Sequence, residues 1–69
     1  MNKQDFLNIG GKEWTKEGIE RVYLSAEIFN ILQGTSLSDN TNKFFFDCKS
    51  NALMRSYKSK KPQVVAQYE

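Results

Sequence analysis

Residues 12–24 read KEWTKEGIERVYL. Two short runs of strand-forming residues lie on either side of Lys16-Glu17-Gly18, which is the pattern of a β-hairpin. A three-residue loop at 16–18, with Gly18 in the left-handed conformation, is a favoured closure for such a hairpin. We therefore predict that this stretch forms two antiparallel strands.

The register of this hairpin decides where its tryptophan lies. With the three-residue loop, Trp14 pairs with Glu20 and shares a face with Val22 and Leu24. A two-residue loop at 17–18 would place Trp14 on the opposite face, because a shift of one residue reverses every side chain of a strand. We predict the first register, with Trp14 in the core, because it gathers the apolar residues on one face.

A short helix is predicted after this hairpin. Ser25 suits the N-cap position, and Gly34 suits a left-handed C-terminal stop. Between them an apolar stripe faces the core; its residues are Ile28, Phe29, Ile31 and Leu32. A helix this short is not stable alone in water, so we expect it to pack on the sheet.

A second hairpin is predicted beyond the polar loop at 35–42. Residues 43–49 and 52–58 have strand composition, and a turn at 50–51 separates them. The first of these strands contains three consecutive phenylalanines, whose side chains must alternate between faces. We expect Phe44 and Phe46 in the core with Cys48 as a buried, unreactive thiol, and Phe45 on the other face.

The two ends of the chain are harder to assign. Residues 1–9 form a lead-in segment, read either as a helical turn or as a strand that breaks at the following glycine pair. Residues 62–69 form an edge strand, or an arm that pairs with another subunit. The predicted fold is α+β: two antiparallel β-hairpins flanking one short α-helix, with a C-terminal strand or arm, in a single domain over 1–69.

The composition excludes most catalytic sites. The chain has 69 residues and no histidine, which removes imidazole bases, His-based nucleophilic sites and zinc sites that use His. Its acidic residues are scattered, and its four glycines do not form a phosphate-binding loop. We predict that the protein is not an enzyme and has no cofactor or metal.

The chain also lacks the pattern of a membrane span. No stretch approaches the roughly 18 consecutive apolar residues of a transmembrane helix, and residues 1–11 have no apolar core of a secretory signal. We expect a cytoplasmic protein without membrane contact.

Positive charge is concentrated in the second half of the sequence. Residues 1–39 carry four basic and six acidic groups, a net of −2, whereas residues 40–69 carry six basic and two acidic groups, a net of +4. Aromatic and basic residues interleave there, as in proteins that bind single strands of nucleic acid. The candidate nucleic-acid contacts are Arg55, Tyr57, Lys58, Lys60 and Lys61.

Small size favours self-association. A domain of this length buries only about 60% of the surface that its unfolded chain exposes. We predict a two-fold homodimer, with a candidate interface formed by Phe45, Val64, Val65 and Tyr68. The alternative is a monomer in which residues 64–68 fold back on their own sheet and Phe45 packs under the N-terminal segment.

Three segments carry a resemblance to known proteins. Residues 11–14 read GKEW, residues 21–24 read RVYL and residues 43–47 read KFFFD. The chain thus resembles a group of small, uncharacterised bacterial and phage proteins with a GKEW opening and a later aromatic-aromatic-Asp strand. The resemblance implies a mobile-element or accessory context, in which small proteins commonly bind and block a larger partner.

Two functions remain as predictions. The first is a non-enzymatic binding module that acts through contacts with a protein partner. The alternative is a small accessory protein that binds nucleic acid through the basic and aromatic second hairpin.

Overall fold

The computed structural model describes residues 1–68 and has an α+β architecture. In chain order its elements are α1 (Lys3–Asn8), β1 (Lys12–Lys16), β2 (Ile19–Leu24), α2 (Ala26–Gln33), β3 (Asn42–Asp47), β4 (Ala52–Tyr57) and β5 (Gln63–Gln67). Within residues 1–68 the five strands form one antiparallel sheet in the order β1-β2-β3-β4-β5. The predicted α+β class is confirmed, but residues 1–68 contain two helices rather than the single helix predicted, and all five strands belong to one sheet. Residue 69, the end of the predicted C-terminal segment, lies outside the described residues.

The first hairpin closes with two residues rather than three. Glu17 and Gly18 have φ values of 51° and 83°, and Lys16 pairs directly with Ile19. Positive φ at both central residues is the type I′ geometry, whose twist matches that of the strands. The predicted three-residue loop is therefore wrong, because Glu17 adopts the left-handed conformation as well as Gly18.

This shorter loop moves the tryptophan to the other face of the sheet. Trp14 pairs with Arg21 and is 38% exposed. The prediction that Trp14 lies in the core is wrong. Val22 and Leu24 nevertheless reach the core as predicted, because β2 also pairs with β3, where Val22 lies opposite Phe46.

Both helices pack on one face of the sheet. The ring of Phe6 in α1 stacks on Phe46 with centroids 4.5 Å apart, and the ring of Phe29 in α2 stacks on Phe44 at 4.1 Å. Phe44 and Phe46 therefore lie in the core as predicted. Cys48 is half-buried beside them, and burial raises the pKa of its thiol.

The lead-in segment is a capped helix. Asn2 Oδ1 accepts a hydrogen bond from the Asp5 amide at 3.1 Å, and Asp5 Oδ2 accepts one from the Asn2 amide at 2.9 Å. This reciprocal capping box orders α1 and brings Phe6 to the core. After α1, the backbone passes very close to β2 at Gly11, where an added Cβ would overlap the Val22 side chain.

Helix α2 begins and ends where predicted, but its apolar stripe is narrower. Ser25 Oγ accepts a hydrogen bond from the Ile28 amide at 3.2 Å, and Gly34 ends the helix with a φ of 66°. Phe29 is buried, whereas Ile31 is 76% exposed. The assignment of Ile31 to the stripe is wrong, because two residues turn a helix by about 200° and place Ile31 opposite Phe29.

The C-terminal segment pairs with its own sheet as β5. Ala66 lies opposite Leu53 and Val64 lies opposite Met54, with a register irregularity between them. The Tyr68 amide donates a hydrogen bond to the Asn51 carbonyl at 2.9 Å. The outer side of β5 is a free edge of the sheet within residues 1–68.

Candidate functional site

The sheet has one face that neither helix covers. Both helices pack on the face that carries Phe44 and Phe46. Phe45 lies on the opposite face, together with the residues that pair with it and with every second residue along each strand. We call this opposite side the open face. Its residues are Lys12, Trp14, Lys16, Ile19, Arg21, Tyr23, Lys43, Phe45, Asp47, Ala52, Met54, Ser56, Val64 and Gln67.

An arginine lies at the centre of the open face among aromatic rings. The guanidinium carbon of Arg21 lies 4.2 Å from the centroid of Phe45 and 5.6 Å from that of Trp14. Its Nη1 donates a hydrogen bond to Tyr23 Oη at 3.0 Å. We call these four residues the Arg21 cluster. Cation–π contacts of this kind hold a guanidinium in a fixed position on the sheet.

The hydrogen-bonding capacity of Arg21 is only partly used. Its Nε is buried and has no hydrogen-bond partner within residues 1–68. Arg21 pairs in register with Asp47, but the carboxylate of Asp47 accepts hydrogen bonds from the Ser50 hydroxyl at 2.8 Å and the Lys49 amide at 3.4 Å. The guanidinium thus has no carboxylate partner in the described part of the chain.

The two faces of the sheet differ in the charges that they carry. The described ion pairs join Lys3 to Glu13 and Glu20, and these residues lie on the helix-covered side. The hydrogen bond to Glu13 raises the pKa of Lys3. The open face instead carries four cations and one carboxylate: Lys12, Lys16, Arg21, Lys43 and Asp47. That face is therefore positively charged.

A groove continues the open face toward the loop before β3. It has a volume of about 520 Å³, and its walls include Trp14, Tyr23, Lys43 and Asp39. The groove forms a concave surface beside the exposed Trp14.

The predicted nucleic-acid residues lie together at one end of the sheet. Arg55, Tyr57, Lys60 and Lys61 line a cavity of about 230 Å³ with Gln63. Lys58 is next to it, with its Nζ 5.4 Å from the centroid of Tyr57. We call Arg55, Tyr57, Lys58, Lys60 and Lys61 the basic end. The structure thus brings together residues that the sequence only placed near one another along the chain.

Asn42 supports the basic end from outside, and the sequence did not predict this role. Its Oδ1 accepts a hydrogen bond from Arg55 Nε at 2.7 Å, and its Nδ2 donates to the Ser38 carbonyl at 2.8 Å. Asn42 is buried, although the sequence places it in a polar stretch that predicts an exposed loop. No sequence signal marks it, because its burial depends on the pairing of β3 with β4.

The four predicted interface residues do not form one surface. Phe45 is only 2% exposed, because Arg21 of the same chain lies over its ring. Tyr68 packs edge-on against Phe6 at 5.7 Å. Val64 and Val65 are exposed on β5. Neither a second chain nor the N-terminal segment is needed to cover Phe45, whereas the pairing of β5 with β4 agrees with the predicted alternative in which residues 64–68 fold back on their own sheet.

Residues 1–68 contain no cluster of three or more His, Cys, Asp or Glu side chains that would suit a metal ion. In the same part of the chain, no helix has the length and apolar character needed to cross a membrane. Comparisons with models of protein families, with curated proteins and with solved structures found no match.

Proposed function

We propose that this chain is a non-enzymatic binding module that acts through protein–protein contacts made by its open face. The Arg21 cluster carries the proposal, because its guanidinium is packed on aromatic rings without a carboxylate partner within residues 1–68. Desolvating a charge is costly unless hydrogen bonds compensate. A carboxylate from a partner would supply a strong, charge-assisted bond to this guanidinium.

The composition of the open face supports a protein partner. Trp, Tyr and Arg are the residue types most enriched at binding hot spots, and Trp14, Tyr23 and Arg21 lie side by side here. Met54 and Val64 extend this surface across the sheet. Apolar side chains of this kind pack well against the apolar side chains of a protein partner.

The charge of the open face defines the chemistry of the partner. With cations at Lys12, Lys16 and Lys43 around the aromatic centre, the complementary surface has an apolar middle and an acidic rim. A second open face would bring like charges together, so a face-to-face dimer is disfavoured. In the mobile-element setting that the resemblance implies, such a module would bind and block a larger acidic partner.

Selection from a peptide library displayed on phage tests this proposal. We expect the selected peptides to be enriched in Asp and Glu beside aromatic or aliphatic residues. Binding of a selected peptide should weaken at least tenfold in Arg21→Gln, while Lys3→Gln, which removes an equal charge from the other side of the sheet, should change it less than twofold. Peptides without acidic residues, or equal losses in the two variants, would contradict the proposal.

We also propose that the chain forms a two-fold homodimer through β5. This strand lies at the sheet edge, carries no charged residue, and exposes Val64 and Val65. The opposite edge, β1, is protected by Lys12, Glu13 and Lys16, since charged side chains discourage strand addition. Antiparallel pairing of two β5 strands would satisfy their outer backbone groups and place two open faces side by side.

Sedimentation equilibrium tests this assembly. We expect a doubled mass at micromolar and higher concentrations, and a monomer for Val65→Pro, since proline removes a backbone donor from the strand. Val64→Lys on the same strand provides a second variant that keeps every backbone donor and adds a repelling charge. A wild-type chain that stays monomeric throughout would overturn the homodimer.

A further inference from the structure

We propose that the basic end is a second binding site, which takes the phosphate backbone of a single-stranded nucleic acid with one base against Tyr57. This site is separate from the open face, because Arg55 pairs with Phe44 on the helix-covered side of the sheet. Its cavity is lined by Arg55, Lys60 and Lys61 together with Tyr57 and Gln63, and no carboxylate belongs to the lining. Such a set of cations attracts phosphate.

The guanidinium of Arg55 is hydrogen-bonded through its Nε within residues 1–68. Nε donates to Asn42 Oδ1 at 2.7 Å, and arginine has only donors, so the oxygen of the Asn42 amide must face it. The Asn42 Nδ2 in turn donates to the Ser38 carbonyl at 2.8 Å, which fixes the amide. The two Nη groups of Arg55 form no hydrogen bond within residues 1–68, which leaves the fork that binds phosphate in a bidentate manner.

The lysines are presented by an ordered turn. Lys58 and Ser59 have φ values of 48° and 60°, and the Lys58 amide donates to the Thr41 carbonyl at 2.7 Å. The Ser56 hydroxyl donates to the Lys60 carbonyl at 2.7 Å. These bonds fix the backbone that carries the cations, so less ordering entropy is lost when an anion binds.

The size of the cavity and the exposure of Tyr57 favour a polymer over a small cofactor. At about 230 Å³ the cavity is smaller than the roughly 300 to 1,000 Å³ of sites that enclose a small molecule. Tyr57 is 39% exposed, with Arg55 and Lys58 each within 5.5 Å of its centroid. An unpaired base can stack on such a ring, whereas bases inside a duplex cannot reach it.

Fluorescence anisotropy with a labelled oligo-dT of about twelve nucleotides tests the site. For single strands, each phosphate contact contributes about −0.7 to the slope of log K against log salt concentration. Four cations therefore predict a slope of about −3. The double variant Lys60→Gln/Lys61→Gln should weaken binding at least tenfold and reduce the slope to about −1.4. The double variant Lys12→Gln/Lys16→Gln is the matched control, since it removes the same charge from the open face, and should change affinity less than threefold.

Tyr57→Leu separates stacking from charge. We expect about a tenfold loss of affinity with the salt slope unchanged, because stacking on an aromatic ring involves no counterion release. Equal losses in the two lysine double variants would overturn the proposal, since they would show binding by net charge alone. Duplex DNA that binds as tightly as oligo-dT, or no binding at low salt, would also overturn it. None of these outcomes bears on the open face, which the peptide selection tests separately.

Discussion

Truncation of Trp14 to alanine should leave the protein folded, whereas truncation of Phe46 should not. Trp14 is 38% exposed, so about three-fifths of its surface is covered, while Phe46 has no exposed surface. The change at Trp14 removes roughly 100 Å² of buried apolar area, which at about 25 cal/mol per Å² gives an upper estimate of about 2.5 kcal/mol. No cavity is left, because the position opens to solvent.

The same change at Phe46 has a larger cost. Its ring is stacked on Phe6 with centroids 4.5 Å apart, and its removal leaves an enclosed cavity. Phenylalanine-to-alanine changes in cores cost about 3–5 kcal/mol, which is comparable with the total stability of a domain this small. Urea denaturation followed by circular dichroism measures both variants.

The outcome decides the register of the first hairpin. Equal destabilisation of the two variants would refute the two-residue turn and return Trp14 to the core. Trp14 is also the sole tryptophan, so quenching of its fluorescence by acrylamide is an independent check. Quenching in the native state should be intermediate between a buried indole and the unfolded chain, and complete protection would refute the reasoning.

Three further predictions concern the helices and the half-buried thiol. Gly11→Ala should lower the unfolding free energy by about 1–3 kcal/mol, because a Cβ there would overlap Val22 and lie 2.7 Å from the Phe6 carbonyl oxygen; an unchanged urea midpoint would contradict this close approach. Ser25→Ala should cost about 1 kcal/mol by removal of the N-cap of α2, and Ser25→Thr should retain most of the stability in the same assay. Because burial raises the pKa of Cys48, its thiol should react with a disulfide reagent more slowly in the native chain than in urea at about pH 8, and equal rates would show that the thiol is not protected.

Most of the fold was accessible from local sequence signals. Ser25 and Gly34 mark the ends of α2 because a cap and a left-handed stop depend only on neighbouring backbone. The alternation of Phe44, Phe45 and Phe46 likewise follows from strand geometry, and it places two rings in the core and one on the open face.

The error in the first hairpin has a local physical origin. The loop length of the first hairpin depended on whether Glu17 would accept a positive φ, which composition does not reveal. That single residue shifted the register and moved Trp14 to the open face beside Arg21. The sequence therefore did not predict that the four residues of the Arg21 cluster lie together.

The candidate sites were predicted to different extents. The basic end was predicted from residues close in sequence, and the structure places Arg55, Tyr57, Lys60 and Lys61 around one cavity with Lys58 beside it. The cover over Phe45 was not predicted, because Arg21 is distant in sequence and reaches the ring only through the pairing of β2 with β3.

The central claim is that the open face binds a protein partner. Cross-saturation NMR with an unlabelled acidic peptide from the selection tests it most directly, since saturation passes only to protons at the interface. We predict signal loss at the Trp14 indole N–H and at the amides of β1 and β2, with α2 and the basic end unaffected. Saturation transfer confined to α2 or to the basic end, with the Trp14 indole unaffected, would contradict the claim.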